Sequence, residues 1–398
     1  MENKKKSSVA CTICSYNYLS FGINCCESLR IHNEWLDIFL LIVDKHDSKI
    51  ELLNENIINY IYLEDLEIEN DILLEMKFKY NIIEMNTAVK PLFIMHLLSI
   101  GYQNVLYLDP DTMCFNSLIN IEELLSNYDA VVTPHRITTI NSKVLEDVAF
   151  LNNGLYNLGF FAIRNSENSK NLLSWWGEKL KTQAFLDYAN GLATDQIWAN
   201  FFPVYFSNIF ILKHSGMNVA FWNIEERKIT KIDDIYYVNN DKLIFFHFSS
   251  FIISEKKISK GRFDISDYPF LKELFDIYKN SVLSKKFEYY SSIKYGFNYY
   301  DNGKLILPYF RRLYVELKPY MNFFINPFST SKNSFYYYFL KKNGRCMFSN
   351  LNNLDKEKRK YFVFLKIIIL IFGIKVIIRN IKTLSSISIK NIAKLYYN

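Results

Sequence analysis

The sequence predicts an α/β fold, a mixed and mostly parallel sheet flanked by helices, on three observations: short apolar runs recur, each closes on a polar or acidic residue, and stretches of helical spacing separate them. Residues 9–14 form the first such run, closed by the turn-prone Ser15, Tyr16 and Asn17, and residues 21–32 then follow helical spacing. Residues 38–43 read as a strand ending at Asp44, 87–99 as a helix, and 104–108 as a strand ending at Asp109. Further strands are expected at 130–133, 159–163 and 243–248, with helices at 172–181 and 194–202. In a parallel sheet covered on both faces, ligands sit at the carboxyl ends of the strands. Chemistry is therefore expected just after each apolar run.

Composition narrows the class. Half of the 398 residues are hydrophobic and 17% are aromatic, which excludes wholesale disorder and provides for a sizeable core. A net charge of +6, with both signs mixed through the middle of the chain, does not describe a dedicated nucleic-acid binder. The six cysteines lack the paired spacing of a zinc module and the density of a disulfide scaffold. Cys11 and Cys14 have the spacing of a redox pair, but they fall in an apolar run and read as core thiols. The first residues, rich in lysine, have no signal-peptide layout, so the expected location is cytoplasmic.

Length and patterning predict a catalytic domain over 1–255, a smaller, mainly helical and aromatic-rich region over 256–350, and a basic amphipathic tail over 351–398. On a helical wheel Lys375, Arg379, Lys382 and Lys390 fall on one side, while Ile374, Ile377, Ile378 and Ile381 fall on another. Such a tail suits the inner membrane surface; packing on its own domain is the alternative. Lys366 and Lys375 inside the apolar stretch argue against a spanning helix.

Asp109 and Asp111 stand one residue apart at the exit of an apolar strand. Hard divalent ions such as Mn2+ or Mg2+ favour oxygen ligands and can bridge diphosphate oxygens, stabilising a departing nucleotide. A dehalogenase-type phosphatase also places Asp-x-Asp after a strand, but it wants Thr or Val where this chain has Met113, and it uses the first strand. A sugar-nucleotide nucleotidyltransferase would have a glycine-rich phosphate loop after the first strand, and residues 14–18 contain no glycine. A catalytically silent, membrane-peripheral sugar-binding scaffold is the remaining alternative.

Across residues 9–250 the chain resembles the GT-A-fold glycosyltransferases, specifically the retaining group that includes glycogenin and bacterial lipopolysaccharide galactosyltransferases. Asn17 and Tyr18 resemble the group's nucleoside-binding loop, where a tyrosine stacks on uracil, and Thr12 lies on the strand leading into it. Lys90 sits where the group carries a basic residue facing the donor. Asp109 and Asp111 match the metal pair, Asn157 and Gly159 the segment lining the sugar pocket, and Asp195, Gln196 and Asn200 the Asp-Gln-x-x-x-Asn helix start. His247 resembles the late-strand histidine that supplies a third protein ligand to the ion. The group usually has glycine three residues after that histidine and Lys-Pro-Trp soon after; here Ser250 stands in the first place and the tripeptide is missing, and Lys256 or Lys257 is the expected candidate to reach the diphosphate instead.

The resemblance implies a metal-dependent enzyme that moves a sugar from a nucleotide-sugar, of UDP type, to a glycan or lipid-linked acceptor with retention. Asp195 and Gln196 would then act at the sugar, with Thr12, Asn17, Tyr18, Lys90, Asn157 and Gly159 holding the donor. Each residue has a plainer reading: Tyr18 as core packing, Lys90 as a solvated helix-end charge, Asp195 as a helix cap, His247 as a structural histidine. Donor sugar, linkage and oligomeric state have no readable code in the sequence.

Overall fold

The computed structural model describes residues 6–253, 257–258, 265, 268–318, 326–332 and 334–340. The tail over 351–398 and Lys256 lie outside the described residues. Two compact units divide between Asn298 and Tyr299.

The first unit is organised by strands β1 (Lys6–Cys14), β2 (Asp37–Ile42), β3 (Asn59–Tyr62), β4 (Tyr102–Leu108), β5 (Thr112–Cys114), β6 (Ala130–Pro134) and β7 (Tyr156–Arg164). Its main sheet has seven strands in the order Ile209–Ile211, β6, β7, β4, β1, β2, β3. Every neighbouring pair is parallel except those of β7, which runs against both β4 and β6. The fold is thus the mixed, mostly parallel α/β arrangement that the sequence predicts. Strands covered on both faces need no polar alternation. Accordingly Val9, Ala10, Cys11, Thr12 and Ile13 are all buried, as is nearly the whole of β7.

Helices α1 (Leu19–His32), α2 (Asn70–Lys79), α3 (Ile82–Ala88), α4 (Lys90–Ser99), α5 (Asn120–Asn127), α6 (Val148–Asn153) and α7 (Glu167–Gln183) accompany the strands. The helix expected over 87–99 is two helices that part at Val89. Pro91 has no N–H to donate to the Thr87 carbonyl, so the ladder is interrupted there, and α4 starts afresh with Lys90 as its first residue. The helix expected over 194–202 is instead a 3₁₀ segment, Gln196–Phe201, followed by the single turn Phe202–Tyr205.

The first unit runs past residue 255, the sequence-based boundary, because the aromatic face of the helix Pro269–Leu283 belongs to its core. Tyr278 stacks on Phe248 with ring centroids 3.8 Å apart, and Phe275 meets Phe248 edge-on at 5.0 Å. Cys11 and Cys14 are buried and form no disulfide. Burial pushes both thiols up, the opposite of a reactive thiolate. The second unit contains the helices Pro308–Leu317 and Phe335–Leu340, where Tyr314 packs edge-on to Phe335 at 5.5 Å. Among the described residues no helix is long and apolar enough to cross a membrane.

Candidate active site

Parallel strands deliver their C-terminal ends to one edge of the sheet, and β4 delivers Asp109 there. The turn after it is tight, with the Thr112 amide and hydroxyl both donating to the Asp109 carbonyl at 3.1 and 2.8 Å. It leads into β5, which pairs antiparallel with Phe245–His247, register His247 to Thr112. That pairing brings a histidine from late in the chain beside the two acids. His247 Nε2 lies 3.0 Å from Asp111 Oδ1 and 3.8 Å from Asp109 Oδ2. One ligand atom from each of the three residues falls within 4.8 Å of the others.

A cleft of about 410 Å³ opens over this cluster. Lys90, Asp109, Asp111, Asn157, Asp195, Gln196 and His247 all line it, whereas Thr12, Asn17, Tyr18 and Gly159 do not. Thr12 is fully buried in β1, its hydroxyl without a hydrogen-bond partner. Tyr18 stacks on Phe21 at 4.0 Å.

Gly159 acts from behind the cleft wall. A Cβ there would stand 2.4 Å from His247 Cε1 and 2.5 Å from Nδ1, so only a residue without a side chain admits the imidazole. Gly159→Ala is expected to displace the ring and weaken Mn2+ binding by roughly tenfold or more, read by titration of the protein alone. Unchanged affinity would mean that the ring shifts without consequence.

Lys90 is the electrostatic hub. Its ammonium is 2.7 Å from Asp195 Oδ2 and 3.6 Å from Asp109 Oδ1, donates to the Leu158 carbonyl at 3.0 Å, and sits 4.3 Å from the centroid of the Tyr107 ring. Burial works against its charge, but Asp195 and Asp109 outweigh burial and hold its pKa above the ordinary lysine value. It is 2% exposed, so the solvated helix-end reading does not apply. For Asp109 burial dominates and raises the carboxyl pKa; Lys90 and His247 offset this in part and Asp111 adds to it. Burial likewise opposes charge on His247, yet Asp111 and then Asp109 prevail and raise its pKa. The oxygen and imidazole donors of this cluster fit a hard or borderline divalent ion.

Asp195 and Gln196 follow Thr194, a β-branched residue held at φ 52°. That conformation costs on the order of 1–3 kcal/mol. It is sustained by Thr194 N–H donation to the Phe185 carbonyl at 3.1 Å, and the Thr194 hydroxyl reaches Asp195 Oδ1 at 3.1 Å. Gln196 is fixed at both ends: Nε2 donates to the Asn153 carbonyl at 2.8 Å, while Oε1 accepts from Asn157 Nδ2 at 3.2 Å and Leu158 N at 3.3 Å.

The residue-by-residue sequence reading missed the amides and the imidazole that complete this network. His135 Nε2 faces Asn157 Nδ2 at 3.2 Å and Gln196 Nε2 at 3.4 Å. Both are donors, so Nε2 is an acceptor and the ring is neutral. Burial agrees, pushing the His135 pKa down to about 4. Asn218 and Asn223 lie behind it; Asn223 Nδ2 donates to the carbonyls of His135 and Asn218 at 3.1 and 3.0 Å. The only signal in the sequence is asparagine inside the apolar run 216–223. Ser250, where the resembled group has glycine, lines the cleft at φ 63°.

The sequence profile described as nucleotide-diphospho-sugar transferase matches residues 41–238, a span that holds every cleft residue named above except His247 and Ser250. The chain is a glycosyltransferase. The glycosyltransferase is 25% identical over 282 residues to the uncharacterized protein YfnF of Bacillus subtilis, covering 68% of this chain and 90% of that one. It is 26% identical over 239 residues to YfnD of the same organism, covering 58% and 75%. Among solved structures it is similar to the galactosyltransferase LgtC in complex with donor and acceptor sugar analogs, with 13% identity, TM-score 0.41, and coverage of 68% of this chain and 95% of that one. It is also similar to the glycosyltransferase GlyE of Streptococcus pneumoniae TIGR4, with 16% identity, TM-score 0.41, and coverage of 74% and 67%.

Proposed function

We propose that the glycosyltransferase takes its sugar from a UDP-linked donor, holds the donor diphosphate through Mn2+ or Mg2+ on Asp109, Asp111 and His247, and passes the sugar to a glycan or lipid-linked acceptor with retention. The observation that carries this reading is the convergence of two acids and one imidazole in the wall of the same cleft that exposes Asp195, Gln196 and Asn157. A bound cation would supply charge stabilisation to the leaving diphosphate.

The chain's own residues would do the rest. Lys90 holds Asp195 in place and keeps its charge compensated, and Gln196 is committed to three hydrogen bonds. Both are therefore assigned to orienting the sugar, which favours same-face attack by the acceptor over a covalent intermediate on either side chain. Support for an acceptor with an apolar part comes from the mouth of the cleft. Leu186 and Tyr188 line it and are exposed, and the Tyr188 hydroxyl donates to Asn153 Oδ1 at 2.7 Å, tying that segment to α6, where Val148 and Leu151 are also exposed. The uracil contact of Tyr18 rests on the resemblance.

The test is a panel of nucleotide sugars assayed for donor hydrolysis with Mn2+, with Mg2+ and with chelator. Turnover is expected for a UDP-sugar and is expected to vanish on chelation, and the anomer released reports retention. Cation-independent turnover would overturn the metal assignment, and a preference for another nucleotide would overturn the UDP assignment.

A further inference from the structure

We infer that Asn218 is a positioning residue that fixes the His247 imidazole with its proton on Nδ1 and Nε2 turned toward Asp109 and Asp111. The inference rests on the cation reading above for its purpose, but its geometry stands separately. The stretch 216–219 runs beside the strand Phe245–His247: the Val219 carbonyl accepts from His247 N at 2.7 Å, and the Gly216 carbonyl from Ile244 N at 2.9 Å. Asn218, 1% exposed, is thereby carried behind the ring, and its Oδ1 lies 3.2 Å from His247 Nδ1.

Which way the Asn218 amide points is decided by its other contacts. Nδ2 has Thr133 Oγ1 at 2.9 Å, Asn157 Oδ1 at 2.9 Å and the Asn157 carbonyl at 3.3 Å around it. Asn157 Oδ1 already accepts from the Gly159 amide at 3.0 Å, which orients the second amide as well. Reversing Asn218 would set its carbonyl oxygen against these acceptors and leave a buried N–H₂ facing the ring. Oδ1 therefore faces Nδ1, and an oxygen without a proton can only accept, so the hydrogen is on Nδ1. Nε2 faces Asp111 Oδ1 at 3.0 Å, where it donates to the carboxylate or, once that proton leaves, offers its lone pair to a cation. A metal-ligating imidazole ordinarily has its second nitrogen anchored in this way, and losing the anchor costs ten- to a hundredfold in affinity.

Two further contacts restrict the same ring. Trp222 meets it edge-on at 5.1 Å, and the absent Gly159 side chain leaves room for it. Through Asn157 the network continues to Gln196. The Asn218 backbone is itself specialised, at φ 51°, a region that asparagine tolerates better than other side chains except glycine.

That backbone supplies the variant for the test. Asn218→Gly keeps the left-handed conformation and removes only the amide. Asn218→Asp keeps an oxygen for Nδ1 and loses the donor, and Thr133→Val removes one Asn218 partner without touching His247. Mn2+ affinity of the donor-free protein is measured by electron paramagnetic resonance, and the imidazole tautomer of the Mg2+-loaded protein by ¹⁵N NMR. Asn218→Gly is expected to bind Mn2+ ten- to a hundredfold more weakly and to lose the single Nδ1–H tautomer of the parent. Thr133→Val should stay within threefold of the parent, and Asn218→Asp should lie between. Parent-like affinity and tautomer in Asn218→Gly, or an Nε2–H tautomer in the parent, would overturn the inference. A parent that binds no Mn2+ but shows the Nδ1–H ring, lost in Asn218→Gly, would overturn the cation reading and leave the role of Asn218 standing.

Discussion

Asp111→Ala is expected to abolish cation-dependent donor turnover while leaving the protein folded. The side chain belongs to the cleft wall and faces His247 Nε2 at 3.0 Å, so its removal deletes one of the three converging ligand atoms. Charge stabilisation of a leaving group by a cation amounts to several kcal/mol, on the order of a thousandfold in rate. Stability should change little, because the loss of the His247 partner and the relief of repulsion on Asp109 oppose each other. Asp111 raises the pKa of Asp109 through like-charge repulsion, and deleting it relieves that repulsion. Donor hydrolysis at saturating Mn2+, compared with a urea unfolding curve, separates the two effects. Undiminished turnover in the folded variant would remove the acid pair from the mechanism.

Lys90→Met is expected to be the most destabilising single change at the site. It leaves Asp195, 3% exposed, without its counter-charge, and breaking a buried pair from one side costs about 3–5 kcal/mol. The Lys90 pKa is raised, so the stability contributed by its ion pairs is present throughout the neutral range and is lost only as pH climbs through that raised value. The double variant Lys90→Met, Asp195→Asn should lose less than the sum of the two single changes, because the stranded charge is gone. Additive urea unfolding energies would show that the pair is not coupled.

Much of the sheet was legible because a strand buried on both faces is written as an unbroken apolar run, and β1, β2, β4 and β6 each leave that trace. Placement after an apolar strand pointed to Asp109 and Asp111, and the family resemblance added His247; the fold brings the three together. What escaped has a physical cause in each case. β3 is a short edge strand with only Ile61 buried, so its hydrophobic signal is weak. The hairpin of Ile229–Ile232 and Ile235–Val238 turns on Asp233 and Asp234, both with positive φ, a turn that Asn-Gly or Asp-Gly would have announced. Lys90 was named through the resemblance, but its buried pairing with Asp195 and Asp109 over the Tyr107 ring appears only in tertiary packing. Asn218 and Asn223 have no periodicity to betray them; how they join Asn157 and His135 is read from three dimensions or not at all.

The reversed direction of β7 has a consequence for how the cleft is assembled. Because β6 and β7 are antiparallel neighbours, the stretch 135–155 returns the chain to the same end of the sheet it left, without a crossover. Within that stretch His135 and the Asn153 carbonyl meet Gln196, so the amide network and the acid pair after β4 reach the cleft from one rim of the sheet, with no connection running across its face.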